Sequence, residues 1–149
     1  MAKEIINTGT PDKRIVKFIE SRHVLTLATS INDQPYCSSC FYAYHKEDNV
    51  LIFTSEEETR HSKEALINDK ISGTIYLDTR IVGKIQGIQF TGVIAPATGE
   101  ILKKYKLRFI KKFPYAAASI SKVWFIELNY IKMTDNRLGF GTKLVWKPE

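Results

Sequence analysis

The sequence predicts a mainly β chain: a closed or nearly closed antiparallel β-barrel with a few short helices. Three observations lead there. Six runs rich in β-branched, aromatic and aliphatic residues are separated by turn-forming clusters. The i, i+3, i+4 spacing of an amphipathic helix is confined to a few short segments. Helices and strands do not alternate as β-α-β units, and no G-x-G-x-x-G occurs, so a parallel nucleotide-binding sheet is not expected.

Thr10-Pro11-Asp12 reads as a helix start: a capping hydroxyl, proline at the first helical position, an acid in the first turn. Ile15, Phe18 and Ile19 then share one face, and Arg22 suits the dipole of the last turn. His23 to Ser30 is the first strand, and Asn32, Asp33 and Pro35 supply the turn after it. Tyr36 to His45 is the second. Tyr36, Ser38, Cys40, Tyr42 and Tyr44 lie on one face, and Cys37, Ser39, Phe41, Ala43 and His45 on the other. Lys46 to Asn49 turns into a third strand, Val50 to Thr54, and the three form a meander.

A helix follows and runs to about Asn68. Ser55 has capping-box spacing, and Thr59 is the alternative cap. Ser62, Ala65 and Leu66 face the core. Ile71 to Leu77 and Ile85 to Ala95 are the fourth and fifth strands, punctuated by Gly73, Gly83, Gly87 and Gly92. Glycine inside a strand marks a bulge, a sharp bend or close approach of a ligand. Glu100 to Ile110 is a helix with Ile101, Leu102, Tyr105 and Phe109 inward. Lys122 to Met133 is the sixth strand, and the tail carries Gly139-Phe140-Gly141 and Trp146.

All 149 residues suit one domain with a sizeable core. Hydrophobic and charged fractions of 44% and 26% are those of an ordinary globular protein. No apolar run approaches the roughly 18 residues a membrane helix needs. Met1 to Asn7 has no signal-peptide core, so a cytoplasmic location is expected. The net charge of +6 is concentrated between Glu100 and Tyr115, where Lys103, Lys104, Lys106, Arg108, Lys111 and Lys112 face a single acid. A basic helix is a weaker nucleic-acid signal than a basic domain, and a solvated face is the simpler reading.

Cys37 and Cys40 point to opposite faces of a strand, so a disulfide between them would be strained. With only His23, His45 and His61 scattered elsewhere, both read as small strand residues, and no metal site is expected. No Ser/His/Asp order, paired catalytic carboxylates or H-E-x-x-H appears, which argues against side-chain hydrolase chemistry.

The sharpest functional feature is Leu51-Ile52-Phe53-Thr54-Ser55 running into Thr59-Arg60-His61-Ser62-Lys63. An apolar strand ends in hydroxyls, and a helix opens with three potential cations in its first turns. Unpaired N–H groups and the positive end of a helix dipole, flanked by such side chains, make a phosphate seat. The alternative is an ordinary solvated helix start. Gln86 and Gln89 lie on opposite faces of the fifth strand. Gln89 is preferred as a ligand contact because Gly87 and Thr91 share its face and leave room.

Several motifs together resemble one family. They are Glu58-Thr59-Arg60-His61, Gly87-Ile88-Gln89-Phe90-Thr91-Gly92, the Arg108-Phe109 to Phe113-Pro114 segment, and Thr134 to Gly141 followed by Lys143 and Trp146. Across nearly its whole length the chain looks like the pyridoxamine 5′-phosphate oxidase-like FMN-binding split barrel, and within it the YhbP-like branch. That resemblance implies a six-stranded antiparallel split barrel and a homodimer with FMN in two clefts at its interface. Ser38, Ser39 and Cys40 would run beside the isoalloxazine. Phe53, Thr54 and Ser55 would sit at the ribityl-phosphate end, Lys63 would bind phosphate with Arg60 and His61 close by, and Gln89 or Gln86 would reach the flavin. Trp146 would close the cleft from the second subunit.

The true oxidases carry an arginine and a lysine on the second strand, where Ser38 and Ala43 stand here. Their C-terminal Arg-x-His has no counterpart in Lys143 to Glu149, which argues against pyridoxine-phosphate oxidase activity itself. The resemblance therefore implies a flavin-dependent oxidoreductase acting on an unknown small substrate. The alternative is a split-barrel binding protein, without turnover, for flavin, haem or another anionic ligand.

Overall fold

The computed structural model describes residues 3–118 and 122–149, so Met1 and Ala2 of the N-terminal stretch lie outside the described residues. The strands are β1 (Glu4–Asn7), β2 (Val24–Ile31), β3 (Gln34–Phe41), β4 (Ala43–His45), β5 (Val50–Thr54), β6 (Lys70–Tyr76), β7 (Gln86–Pro96), β8 (Val123–Asp135) and β9 (Lys143–Trp146). The helices are α1 (Lys13–Ser21), α2 (Arg60–Ile67) and α3 (Gly99–Lys112).

The architecture is a mainly β split barrel with three short helices. Each of the six expected strand regions holds β-structure, five of them as a single strand. The sheet runs β1-β9-β8-β7-β6-β2-β3, and β8 branches. Its first half, Val123 to Glu127, pairs with β5, while Ile131 to Thr134 pair with β9 and β7 lines the opposite edge. β4 pairs antiparallel with β5.

The expected strand from Tyr36 to His45 is broken at Tyr42, and the meander with it. β3 pairs with β2, β4 pairs with β5, and the chain switches partner between them. Tyr42 is the corner. Its N–H donates to His23 O at 3.0 Å, and its fully buried hydroxyl donates to Ile19 O at 2.5 Å, tying α1 to the bend. β1 and β9 add a parallel pair, Glu4 to Asn7 against Lys143 to Trp146. Four residues each are too few for a periodic signal.

Glycine positions follow from close strand packing. A Cβ at Gly73 would meet Thr26 O and the Phe90 ring at 2.3 Å. Gly92 stands where the β7–β8 register shifts, and its Cβ would lie 2.6 Å from Glu127 O.

Val50 to Phe53 are all buried because β5 is covered on both faces. Leu51 and Phe53 enter the main core with Ile15, Leu27, Ile88 and Trp124, while Val50 and Ile52 pack beneath Tyr105 and Phe109 of α3.

The helices depart from expectation in detail. Asp12 caps α1 in place of Thr10, its carboxylate accepting the Arg14 N–H, and Arg22 is the residue just beyond the last turn. Thr59 caps α2 through the Ser62 N–H. Leu66 is 59% exposed, and Glu64 turns inward instead. Ile101 is 44% exposed, while Tyr105 and Phe109 face the core as expected. Among the described residues, no helix is long and apolar enough to cross a membrane.

Candidate functional site at the start of the second helix

β5 ends at Thr54, and the chain crosses to the first turn of α2. Two main-chain bonds fix this crossing: Ser55 N–H donates to Lys122 O at 3.0 Å, and the Trp124 indole N–H donates to Ser55 O at 3.2 Å. The side chains above it form a compact polar cluster. Ser55 Oγ lies 2.7 Å from His61 Nε2 and 3.1 Å from Thr59 Oγ1, and accepts the Ser62 hydroxyl at 3.2 Å. Thr59 Oγ1 in turn donates to Ser62 Oγ at 2.8 Å. Burial holds His61 below its ordinary value of 6.5, so its imidazole is neutral at pH 7.

A cavity of about 330 Å³ opens beside this cluster, within the size range of small-molecule sites. Ser39, Cys40, Thr54, Ser55 and His61 line it together with Phe41, Phe109, Tyr115 and Ala116. The fold thus brings five of the expected site residues onto one surface. Phe109 was legible only as an inward helix position. Phe41, Tyr115 and Ala116 reach the cavity because α3 and the turn after it pack across β3, as the 5.7 Å ring contact of Phe41 with Phe113 marks.

The other expected residues sit elsewhere. Ser38 is on the inner face of β3. Its Oγ is buried beside the Cys40 thiol, a weak acceptor, and makes no hydrogen bond of ordinary geometry among the described residues. Burial pushes that thiol up to about 11, so it is a poor nucleophile near neutral pH. Cys37 and Cys40 are both free. Phe53 points into the core, 6.4 Å from Trp124 and 6.5 Å from the His61 ring.

Arg60 is drawn back along its own helix. Its Nε donates to Glu64 Oε2 at 2.6 Å, holding that carboxyl below its usual range, and its guanidinium lies 4.0 Å from the Tyr36 ring. Glu64 also accepts the Thr29 hydroxyl at 3.1 Å, so this chain staples α2 to β2 and β3. Lys63 is exposed and makes no ion pair among the described residues. Gln89 is exposed between Thr74 and Lys132, whereas Gln86 lines a different cavity beside α1. Trp146 is buried in the main core, its indole N–H on Gly9 O at 2.6 Å.

The donor set suits a phosphate. Hydroxyls of Ser39, Thr54 and Ser55 face the cavity with His61, and the Arg60 and His61 amides find no acceptor among the described residues. N-terminal helix amides and hydroxyls are the groups that hold phosphate oxygens.

The basic α3 is largely anchored. Lys103 pairs with Glu100, Lys104 with Asp48, Arg108 with Glu47 and the Tyr44 carbonyl, and Lys112 donates to Arg22 O. Among the described residues, no group of three His, Cys, Asp or Glu side chains is placed to hold a metal.

Known structures share this fold. A haem-binding protein from Mycobacterium smegmatis superposes over 93% of the chain with a TM-score of 0.75 at 15% identity, the chain spanning 60% of its length. An FAD-binding protein from Mesorhizobium loti superposes over 80% of the chain and 91% of its own, with a TM-score of 0.68 at 15% identity. At such identities the likeness is one of fold, the pyridoxamine 5′-phosphate oxidase-like split barrel. No family model matches the chain. A UPF0306 protein of Photorhabdus laumondii is 38% identical over 133 residues, 89% of this chain and 93% of that protein. At that identity and coverage the relation is direct: the chain belongs to the UPF0306 family.

Proposed function

We propose that this chain is a flavin-binding protein of the YhbP-like branch, with FMN held at the start of α2, that acts as a flavin-dependent oxidoreductase on a small substrate. The observation that carries the reading is the joining of strand-end hydroxyl residues and a neutral imidazole around one cavity at the first turn of α2. Thr54, Ser55 and the α2 amides hold the phosphate, with Lys63 supplying charge from the helix surface. Ser39 and Cys40 run beside the ring system, and Phe41 and Phe109 exclude water from it. Gln89, exposed on β7, is left to serve the clefts of a homodimer, whereas Trp146 is buried in the protomer's own core and closes no cleft. A bound flavin supplies its own two-electron redox chemistry, so few catalytic side chains are needed.

A second reading is a binding protein without turnover, for flavin, haem or another anionic planar ligand. Ser38 and Ala43, standing where the oxidases carry cations, favour it. The visible absorption spectrum of the purified protein, then a titration with FMN followed by fluorescence quenching, tests both. Flavin bands or tight quenching, with saturable reduction by NADH or NADPH, are expected for the oxidoreductase. Flavin bound but never reduced supports the second reading, and a colourless protein indifferent to FMN refutes flavin binding.

A further inference from the structure

The same short device occurs twice and faces one cavity. In Asp12-Lys13-Arg14, Asp12 Oδ1 accepts the Arg14 backbone N–H at 2.8 Å, and its carboxylate accepts Arg14 Nε at 2.9 Å and Nη2 at 2.8 Å. In Asp135-Asn136-Arg137 the pattern repeats at the end of β8. The Arg137 backbone N–H lies at 3.0 Å, Nε at 3.0 Å and Nη2 at 2.8 Å. Asp135 is fully buried, so its arginine is oriented from behind by a fixed carboxylate. A guanidinium has about five N–H donors, of which each pairing uses two, and the remaining three can meet an outside acceptor.

Arg14 and Arg137 line a cavity of about 320 Å³ between α1 and the start of β7, with Lys17, Arg22 and Gln86. Phe18 and Leu77 give it an apolar wall. No acid lines it. Each arginine is balanced by its own aspartate, while Lys17 and Arg22 make no ion pair among the described residues. Two positive charges are therefore left over at the cavity. None of its lining residues is shared with the cavity at α2, so nothing here depends on flavin binding.

We propose that this cavity is a second anion site, taking a phosphate monoester with a small apolar or aromatic body. A phosphate monoester carries about −1.5 to −2 charge at pH 7, which matches the two unbalanced cations. Pre-oriented guanidinium groups suit its oxygens, because the fork geometry is fixed before the ligand arrives. Gln86 offers both a donor and an acceptor, and Phe18 and Leu77 shelter the ester body.

Phenyl phosphate is the probe. The full chain is titrated with it at low ionic strength, by calorimetry and by amide proton–nitrogen NMR spectra. Saturable binding is expected, with shifts at Arg14, Lys17, Gln86 and Arg137 that follow their own saturation curve, separate from any in α2. Lys17→Glu, an exposed change, weakens binding at least tenfold. Lys106→Glu makes the same charge change on α3 and leaves it unaltered. Arg14→Lys keeps the charge but loses the fork, and weakens binding several-fold. Lowering the pH from 7.5 to 5 also weakens it, as the phosphate gains a proton near pH 6. Equal weakening by Lys17→Glu and Lys106→Glu, shifts confined to α2, or succinate binding as tightly as phenyl phosphate would each overturn the proposal.

Discussion

Replacing Ser55 by alanine tests the hub of the polar cluster. Ser62 is 1% exposed and donates its hydroxyl to Ser55 Oγ at 3.2 Å. Without that oxygen the Ser62 hydroxyl turns to Thr59 Oγ1, 2.8 Å away, while Thr59 gives its own proton to Glu56 O. One hydrogen bond of the cluster is therefore lost, a cost of about 0.5–1.5 kcal/mol. His61 is only half-buried and regains a water partner, so its lost 2.7 Å bond adds little. The main-chain bonds of Ser55 to Lys122 and Trp124 remain, so the crossing keeps its course. A loss of about 1 kcal/mol follows, which lowers Tm by about 2–4 °C in a chain of this size. Thr54→Ala is the matched control. Thr54 lines the same cavity but makes no side-chain hydrogen bond among the described residues, so its stability changes by under about 0.5 kcal/mol. Both substitutions remove a hydroxyl offered to a charged phosphate. Each is expected to weaken FMN by roughly ten- to hundredfold, from about 1.5–3 kcal/mol per such bond. Urea unfolding and FMN fluorescence titration read the two effects separately. A Ser55→Ala protein with the wild-type urea midpoint refutes the cluster as described. A destabilised variant with unchanged FMN affinity refutes the phosphate seat.

Burial holds His61 below 6.5, so the unfolded chain takes up this proton first as pH falls. The stability it confers is present above pH 6.5 and lost as pH falls through the folded value. Urea midpoints at pH 7.5 and 5.5 are expected to differ less in His61→Gln than in the wild type. Lys112 donates to Arg22 O, lies 4.5 Å from the Tyr42 ring, and is pushed by burial from 10.5 down to about 8. The unfolded chain therefore binds more protons between those values, and stability rises with pH across that window. In Lys112→Met that rise should vanish from thermal unfolding curves. Gly73→Ala forces a Cβ to within 2.3 Å of a main-chain oxygen, which cannot swing away. A loss of about 3 kcal/mol in urea unfolding is expected, and a loss below about 0.5 kcal/mol would refute the close β2–β6 packing.

Much of the site was legible because its residues are consecutive. Thr54, Ser55, Thr59 and His61 fall within eight positions of one strand–helix crossing, where hydroxyls after an apolar run and a cap before a helix are local signals. The company of these residues was not legible. Arg60 reads as a phosphate cation until Glu64 and Tyr36, four and twenty-four positions away, are seen to hold it. Leu66 and Ile101 are apolar at helical spacing, yet the sheet covers only a narrow stripe of each helix, and both face outward. Gln86, paired with Gln89 by sequence, instead meets α1 across a separate cavity.

The sequence by itself determined the six strand regions, the three helices and the polar crossing into α2. These depend on side-chain periodicity, caps and turn residues acting over a few positions. Tertiary structure decided the rest. It broke the strand at Tyr42, where a buried hydroxyl must find an acceptor and α1 provides it. It joined β1 to β9, two short segments more than a hundred residues apart whose only strong signal is each other's hydrogen bonds. It also set two Asp-x-Arg devices, one at each end of the chain, against a single cavity. No local pattern encodes such meetings, because they depend on where a closed sheet brings its distant edges together.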